Sequence, residues 1–600
     1  MPRYTRSVSA TAGTATAAAA AAGARPNGPD RVWAVAPAAP AAFFAALPDL
    51  HPVAAQVLYN RGLRSVEQVR GFLASDAAAL YDPRLLLGID RAIARLRRAL
   101  HEGETIAVHG DFDVDGVTAA AVLTEGLRAA GGRVVTHIPR RTTTGYGLHA
   151  AGVERLAADG ATVIVTGDTG TRATEAVARA AALGVDVIIT DHHVPGAELP
   201  GALALVNPQQ AQCPYPFKDL SGSGVAWKLV DALARDGALR DFPAESLLDL
   251  VALGTIVDVS PLVGENRALV QRGLRRLAEA PRPGLRALLA RAGAGQHRPA
   301  VDERTVAFAL GPRLNAAGRM DDAALALELL LTADSLRAGE LVRQLDEMNV
   351  ERQQLTERVL VAARAQAERL AKEPVLVLRG EDWPPGVLGL VAARLADEYG
   401  RPAFVVEVGP AACRGSGRSV AGFDLVQVLT GCADLLVEYG GHALAAGFAV
   451  LPADLDALVE RLVGAGAARL AGPPAPVVAD CDLEEGALDW ALYRAVAPLR
   501  PFGAGNPAPL LVTRGVRVLE ARPVGAAGAH LRARLRVGNQ VVTAFGPDLG
   551  PRAGSFAAGG RVDVLYSLDV SIWDGYETLE LRLADVRPAV QQSGGSADAL

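Results

Sequence analysis

From Thr105 onward, short apolar runs alternate with longer Ala/Leu/Arg-rich stretches whose apolar residues recur at helical spacing. The runs are Ile106-Ala-Val108, Arg133-Val-Val135, Val163-Ile-Val165 and Val187-Ile-Ile189. Strands buried on both faces of a parallel sheet read as continuous apolar runs, because neither face meets water. Their alternation with helical stretches predicts a parallel α/β sheet with crossover helices. Ahead of it, helical periodicity broken at Pro48, Pro52 and Pro83 predicts a helical N-terminal segment over 36–100. Residues 222–330 read mostly as helix, and the charged, Pro-free stretch that follows predicts a long connecting helix over 333–372. Pro374-Val-Leu-Val-Leu378 and Pro402-Ala-Phe-Val-Val406 open a second, smaller α/β unit over 373–470, closed by the Pro/Ala-rich linker Ala471 to Pro476. Five Val/Leu/Arg-rich segments punctuated by Gly then predict a small OB-like β-barrel over 477–588: Leu510 to Leu519, His530 to Val537, Val541 to Phe545, Val562 to Leu568 and Thr578 to Leu583.

Composition narrows the setting. A length of 600 residues allows about four domains at roughly 150 residues each. No apolar run reaches the ~20 residues that a bilayer span needs, so no membrane partner is expected. Cys213, Cys413, Cys432 and Cys481 form no C-x-x-C pair, which argues against a zinc ribbon or a disulfide framework and for a reducing cytoplasm. The first 35 residues, with Arg3 and Arg6 before a weakly apolar Ala-rich tract, read as a disordered extension rather than an export signal, and 589–600 as a disordered tail. A formal charge of -6 excludes an evenly basic coat but not a local one. Between Arg500 and Gly546 seven arginines face a single acid, Glu520. On a barrel that stripe suits single-stranded nucleic acid, with stacking from Phe545, Trp573 or Tyr576 weighed against their burial as core.

Chemistry concentrates where the apolar runs end. His109-Gly-Asp111-Phe-Asp113-Val-Asp115-Gly116 follows the first run and puts three carboxylates and an imidazole within seven residues. Such charges repel unless a cation lies among them, and oxygen-rich ligands with one or two imidazoles suit Mn²⁺ or Mg²⁺ better than a thiolate-preferring metal. The same segment also reads as a solvated acidic loop at a helix start. Asp168 ends the second such run, a position equally suited to a ligand or a helix N-cap. Asp191-His192-His193 ends the third, and Asp258 interrupts the mostly apolar stretch Ala252 to Pro261, where a charge needs a partner. Ligands in open α/β sheets bind at the carboxyl ends of the strands. Acids converging there fit a two-metal centre, which activates water and stabilises both oxygens of an in-line phosphoryl displacement. Phosphoester hydrolysis is the implied chemistry.

The ordered series His109-x-x-x-Asp113-x-Asp115, Asp168, Asp191-His192-His193, Asp258 resembles the DHH phosphoesterases. Further matches extend the resemblance over about residues 45–588, toward the branch that degrades single-stranded DNA from 5′ to 3′ in repair and recombination. These are Gly145-Tyr-Gly-Leu148, Gly311-Pro-Arg-Leu-Asn-Ala-Ala-Gly-Arg319, Gly415-Ser-Gly-Arg-Ser419, Gly422-Phe-Asp424, Gly440-Gly-His442 and Pro501-Phe-Gly-Ala-Gly-Asn506. The resemblance implies a parallel-sheet DHH domain over 101–332, joined by the long helix to an α/β DHH-associated domain over 373–470, and then an OB-fold DNA-binding domain.

Site roles follow from the same resemblance. It implies two divalent cations, Mn²⁺ or Mg²⁺, held by His109, Asp113, Asp115, Asp168, His192 and Asp258, with Asp168 bridging. Asp111 stands as an alternative to His109 or as a neighbour of the ligands. Asp168, Asp191 and His193 are the expected catalytic residues, Asp191 orienting the ligands and His193 meeting the scissile phosphate. Substrate contacts fall to Arg140, with Arg141 beside it, and to Arg313, Arg319, Ser416, Arg418, Gly441 and His442, because guanidinium forks grip phosphates and Gly permits close approach. Implied partners are single-stranded DNA and a single-strand-binding protein or helicase. Thr169 after Asp168, and Trp383-Pro384-Pro385, depart from the family's usual Asn or Cys and Trp-His-Pro. Two rival readings share parts of the pattern. A DHH phosphodiesterase for oligoribonucleotides or cyclic dinucleotides needs no basic barrel, and a catalytically silent DNA-binding scaffold needs no ligand set.

Overall fold

A three-residue strand, β1 (Trp33–Val35), falls inside the segment expected to be unstructured, and the C-terminal part of the chain explains it. β1 pairs in parallel with Val477–Ala479, Trp33 Nε1 donates to Asp585 Oδ2 at 2.9 Å, and the Arg587 guanidinium lies 4.1 Å from the Trp33 ring centroid. The computed structural model describes residues 32–74, 80–140, 147–239, 241–293, 301–320, 323–420, 422–470, 476–573 and 576–589. The remainder of the expected extension, the tail after 589 and most of the Ala471 to Pro476 linker lie outside them.

The expected N-terminal helical segment divides between two cores. Helices Ala41–Ala45, Pro52–Asn60 and Val66–Leu73 bury Phe43, Leu58 and Val69 with Leu499, Leu531 and Val564 of the C-terminal domain. Helix Ile89–Glu102 instead buries Ile89, Leu96 and Ala99 against the parallel sheet. That sheet comprises β2 (Thr105–Gly110), β3 (Arg133–His137), β4 (Ala161–Gly167), β5 (Asp186–Thr190) and β6 (Ala204–Val206). Every pairing in it is parallel and the order is β3-β2-β4-β5-β6. Strand order therefore reverses between β2 and β4, the crevice where open α/β sheets bind ligands. Helix Val114–Ala129, buried along nearly its whole length, packs beneath this point against helices Gly222–Arg235 and Leu248–Val257.

The long helix is Ser335–Ala367, started by the Asp334 side chain accepting from Leu336 N. Beyond it β7 (Leu376–Gly380), β8 (Ala403–Glu407), β9 (Cys413–Arg418), β10 (Leu436–His442) and β11 (Ala445–Val450) form a sheet of order β10-β11-β9-β8-β7. The barrel follows β12 (Val477–Ala479) and β13 (Cys481–Leu483), and comprises β14 (Leu511–Val524), β15 (His530–Val537), β16 (Gln540–Gly546), β17 (Arg561–Trp573) and β18 (Tyr576–Pro588). A β14–β17 pairing closes the five strands. Strict alternation along β15 buries Leu531, Ala533, Leu535 and Val537 and turns Arg532, Arg534 and Arg536 outward.

Candidate metal centre

The acids gather at the carboxyl ends of β2, β4 and β5. Asp113 caps helix Val114–Ala129, its Oδ1 accepting from Gly116 N at 3.0 Å. Gly116 is required there, since a Cβ would stand 2.6 Å from the Asp111 backbone. Two residues on, Asp115 faces the start of helix Gly222–Arg235 and accepts from Gly222 N at 2.6 Å and Ser223 N at 3.0 Å. Asp168 sits in left-handed backbone at φ 63°, and so does Val259, immediately after Asp258. For a β-branched residue that conformation is a true outlier, and such strain gathers at functional sites.

Asp191 organises the third strand end. Its Oδ1 accepts from His192 N at 2.7 Å, His193 N at 3.2 Å and His193 Nδ1 at 2.8 Å, while Oδ2 accepts from Thr171 N at 2.9 Å. Buried Asn207 ties the turn down, donating to the His193 carbonyl and to Thr171 Oγ1, each at 2.9 Å. Asp258 closes helix Leu248–Val257 and accepts from the Ser260 hydroxyl.

Three sets each bring their ligand atoms within 4.8 Å of one another: Asp168, His192 and His193; Asp115, His192 and Asp258; Asp111, Asp113 and Asp168. Burial and neighbouring acids, Asp113 beside Asp111 and Asp115 beside Asp168, raise the Asp111 and Asp168 carboxyls well above the usual range. Asp258 is pushed up to about 7 by burial and by Asp115, against the pull of His192. Burial would also raise Asp191, but the His193 hydrogen bond and both imidazoles hold it low. Burial would lower His193, yet Asp191 and Asp168 lift it to about 9.

This is a negative cluster in need of a cation. Asp111 Oδ1 and Asp168 Oδ1 are buried without a hydrogen bond, and His192 Nε2 approaches Asp168 Oδ1 to 3.0 Å without the alignment of one. Two donors crowding a common point in this way suit shared coordination, and a donor set of carboxylates and imidazole without thiolate fits Mn²⁺ or Mg²⁺.

Three family matches coincide with these elements: the DHH family, N-terminal domain over residues 105–255, the DHHA1 domain over 372–465 and the RecJ OB domain over 479–585. The single-stranded-DNA-specific exonuclease RecJ of Dickeya dadantii (strain 3937) is 36% identical over 580 residues, covering 90% of this chain and 97% of the relative. The chain belongs to the RecJ family. The crystal structure of RecJ in complex with Mn²⁺ from Thermus thermophilus is 34% identical, with TM-score 0.78 over 93% of this chain and 80% of that one. The Mg²⁺ complex from the same organism matches with TM-score 0.73 over 93% and 79%.

Within this RecJ-family frame, two expected site residues are placed elsewhere. His109 belongs to none of the three ligand sets. Its Nε2 faces the Gly147 carbonyl at 3.4 Å and its Nδ1 lies 2.9 Å from His137 Nδ1 on β3. Burial and His137 lower its pKa to about 3. Asp111, the alternative, takes its place in a ligand set. Arg313 turns to the long helix, with Nε donating to Asp346 Oδ1 at 2.9 Å and Nη1 to the Ala309 carbonyl at 2.7 Å.

Of the remaining expected substrate residues, His442 comes nearest the cluster and the others lie on the associated domain or at its junction with the DHH domain, apart from Arg140. Arg319 Nη1 donates to the Gly386 carbonyl at 3.0 Å, joining the DHH and associated domains. His442, at the end of β10, brings its ring centroid to 6.1 Å from that of His193. Gly441 beside it has φ 139°, and a Cβ there would stand 2.4 Å from the Ala445 carbonyl. Arg418 on β9 contacts Ser416 Oγ at 3.3 Å and the Gly417 carbonyl at 2.8 Å. Burial lowers its pKa, and among the described residues no carboxylate pairs with it, so an incoming anion would satisfy a desolvated charge. Arg140 is exposed after β3; Arg141, Gly145 and Tyr146 lie outside the described residues.

The basic stripe is narrower than expected. Arg517, Arg522, Arg532, Arg534 and Arg536 are exposed on the neighbouring strands β14 and β15. Arg500 instead holds Glu303 at 2.5 Å and Asp569 at 3.4 Å, and Arg514 pairs with Asp482. Of the aromatics, Tyr576 is exposed, Phe545 packs edge-on to His530, and the Trp573 side chain lies outside the described residues.

Gly222 and Gly254 were not singled out from sequence. A Cβ at either would stand 2.4 Å from Asp168 Oδ1 or Asp115 Oδ1 respectively. The small-residue run Ser221-Gly-Ser-Gly224 was the available signal. Asn207 carried none, and Asn315, whose Oδ1 accepts from Val114 N at 3.1 Å, lies within the Gly311–Arg319 match but is given no role by it.

Proposed function

We propose that the chain is a metal-dependent exonuclease that hydrolyses single-stranded DNA from the 5′ end, in repair and recombination, in the cytoplasm. The observation that carries this reading is the approach of His442 to His193, which sets the associated domain directly over the acidic cluster. In this reading Asp111, Asp113, Asp115, Asp168, His192 and Asp258 hold two divalent ions. When bound, such ions supply nucleophile activation and charge neutralisation for in-line displacement at phosphorus. His193, oriented by its Nδ1 contact with Asp191, donates to the scissile phosphate or the leaving oxygen. Arg319, Ser416, Arg418, Gly441 and His442 grip the strand end with Arg140 nearby, and the β14–β15 arginines follow its backbone. Membership of the RecJ family supports the polarity and the single-strand preference, and it suggests a single-strand-binding protein or helicase as partner. No helix among the described residues is long and apolar enough to cross a membrane.

The test is polarity mapping with Mn²⁺ on single strands and duplexes labelled at either end. Early release of the 5′ label from single strands alone is expected, with loss of cleavage on chelation or in Asp113→Ala and His192→Ala. Release of the 3′ label first overturns the polarity, and no cleavage by the unmutated protein overturns the reading. Point variants serve better than removing residues 477–600, because that deletion would strip the apolar cover from Phe43, Leu58 and Val69.

A further inference from the structure

Phe308 is a large aromatic side chain, 61% exposed, on the helix that ends at Arg319. The helix runs from Glu303 to Arg319 in three abutting parts: Glu303–Thr305, a π-helical turn Val306–Leu310 and Gly311–Arg319. Wide π turns are rare and gather at functional sites. Val306 and Leu310 are fully buried on one side of the turn, which leaves Phe308 on the other. Nothing in folding favours a phenyl ring in water, and a polar residue here would leave the core unchanged.

The two ends of this helix define where Phe308 stands. At its start, Glu303 receives Arg500 at 2.5 Å, and Arg304 Nη1 lies 3.9 Å from Asp569 of β17, so this end abuts the barrel. At its far end, Asn315 holds Val114 N beside Asp113, and a Cβ on Gly318 would stand 2.2 Å from the Phe112 carbonyl, so that end abuts the acidic cluster. Arg319 then reaches Gly386 of the associated domain. Phe308, Pro312, Asn315 and Arg319 recur at i, i+4, i+7 and i+11, the spacing of one helix face. Seven residues separate Phe308 from Asn315, about 10 Å along a helix and about three nucleotides at stacked spacing. The Arg304 guanidinium lies 5.8 Å from the Phe308 ring centroid, adding a cation beside the aromatic face.

We propose that Phe308 is a stacking platform for one base of the single strand on its path from the barrel to the metal cluster. Backbone contacts alone hold a strand without fixing its advance. A ring about three nucleotides to the 3′ side of the cluster would hold the base and set the register of the next phosphate. This inference rests on the single-stranded DNA reading above.

The test is an abasic scan. Single abasic sites are moved along the first several nucleotides of a 5′-labelled oligodeoxyadenylate, and affinity is read by anisotropy in EDTA and KM with Mn²⁺. Removing one stacking contact of about 1–3 kcal/mol should weaken binding by about tenfold. In the unmutated protein that loss should peak at one position near the third nucleotide. Phe308→Ala and Phe308→Leu should lose about tenfold on the intact strand and show no further loss at that position, while Phe308→Trp keeps both affinity and peak. The Leu variant retains side-chain bulk, and unchanged thermal unfolding of both shows that the fold is intact. An abasic profile in Phe308→Leu identical to that of the unmutated protein overturns the platform while leaving the nuclease reading in place. Failure of the unmutated protein to bind or cleave single strands overturns both.

Discussion

Gly222→Ala should disable the metal centre without altering any ligand. A Cβ on Gly222 would stand 2.4 Å from both Cβ and Oδ1 of Asp168, where ordinary contact begins at 3.4 Å, so one of the two must yield by about 1 Å. Neither side yields readily. Gly222 N donates to Asp115 Oδ2 at 2.6 Å, so retreat of the helix start drags a second carboxylate with it. Asp168 is already in left-handed backbone at φ 63°, and its N–H is bonded to the Thr190 carbonyl at 3.0 Å. A misplacement of about 1 Å costs on the order of 10²-fold in rate, roughly 2.7 kcal/mol in the barrier. The assay is initial-rate digestion of 5′-labelled single strands across a Mn²⁺ titration, beside Gly224→Ala. A Cβ at Gly224 meets Ser221 Oγ at 3.3 Å and Leu220 Cδ2 at 3.5 Å, which the flexible neighbours can accommodate. Both substitutions remove a helical glycine and gain up to ~1 kcal/mol of helix propensity, so propensity alone predicts no difference between them. Gly222→Ala within about threefold of the unmutated rate at saturating Mn²⁺, or Gly224→Ala falling as far, would refute the packing argument.

The parallel sheet and the barrel were legible because their patterns are local. Continuous apolar runs placed β2, β4 and β5, and strict alternation placed β15 to the residue. The position of Asp113, Asp168 and His192 at strand ends followed from the same pattern. Strand order did not. β2 has β3 on one side and β4 on the other, and the cluster forms on the β4 side, whereas the His109 ring pairs with His137 on the β3 side. Spacing alone could not separate those sides. Arg313 was legible in principle: six residues before Arg319, it points about 120° away around a helix, toward Asp346 rather than Gly386. The burial of Arg500 rests on Glu303 and Asp569, far from it in sequence. For the same reason periodicity marked residues 41–73 as helical but not as cover for a barrel some 400 residues away.

Two further outcomes test how the domains are held together. Asp397 on helix Pro385–Tyr399 is pushed up to about 6 by burial and by Asp548 of the barrel. A carboxyl raised in the folded state penalises folding only when charged, so the penalty is absent below about pH 4, grows through pH 4–6 and is complete above pH 6. After discounting for solvent screening, Asp397→Asn should therefore gain about 1–2 kcal/mol at pH 7.5 and nothing at pH 4, and an equal gain at both would contradict the assignment. Arg267, only 2% exposed, is the stronger case because one guanidinium joins three segments. It donates to the carbonyls of Phe72 at 3.0 Å, Leu499 at 2.8 Å and Pro498 at 2.9 Å, with its guanidinium 4.0 Å from the Phe72 ring centroid. Arg267→Ala leaves three carbonyls short of a donor and a gap beside the ring, together about 3–5 kcal/mol. That loss falls on the junction rather than within one core, so calorimetry should show the barrel with its N-terminal helices unfolding apart from the DHH domain. A single transition within about 1 °C of the unmutated midpoint would mean that the two cores are coupled through other contacts.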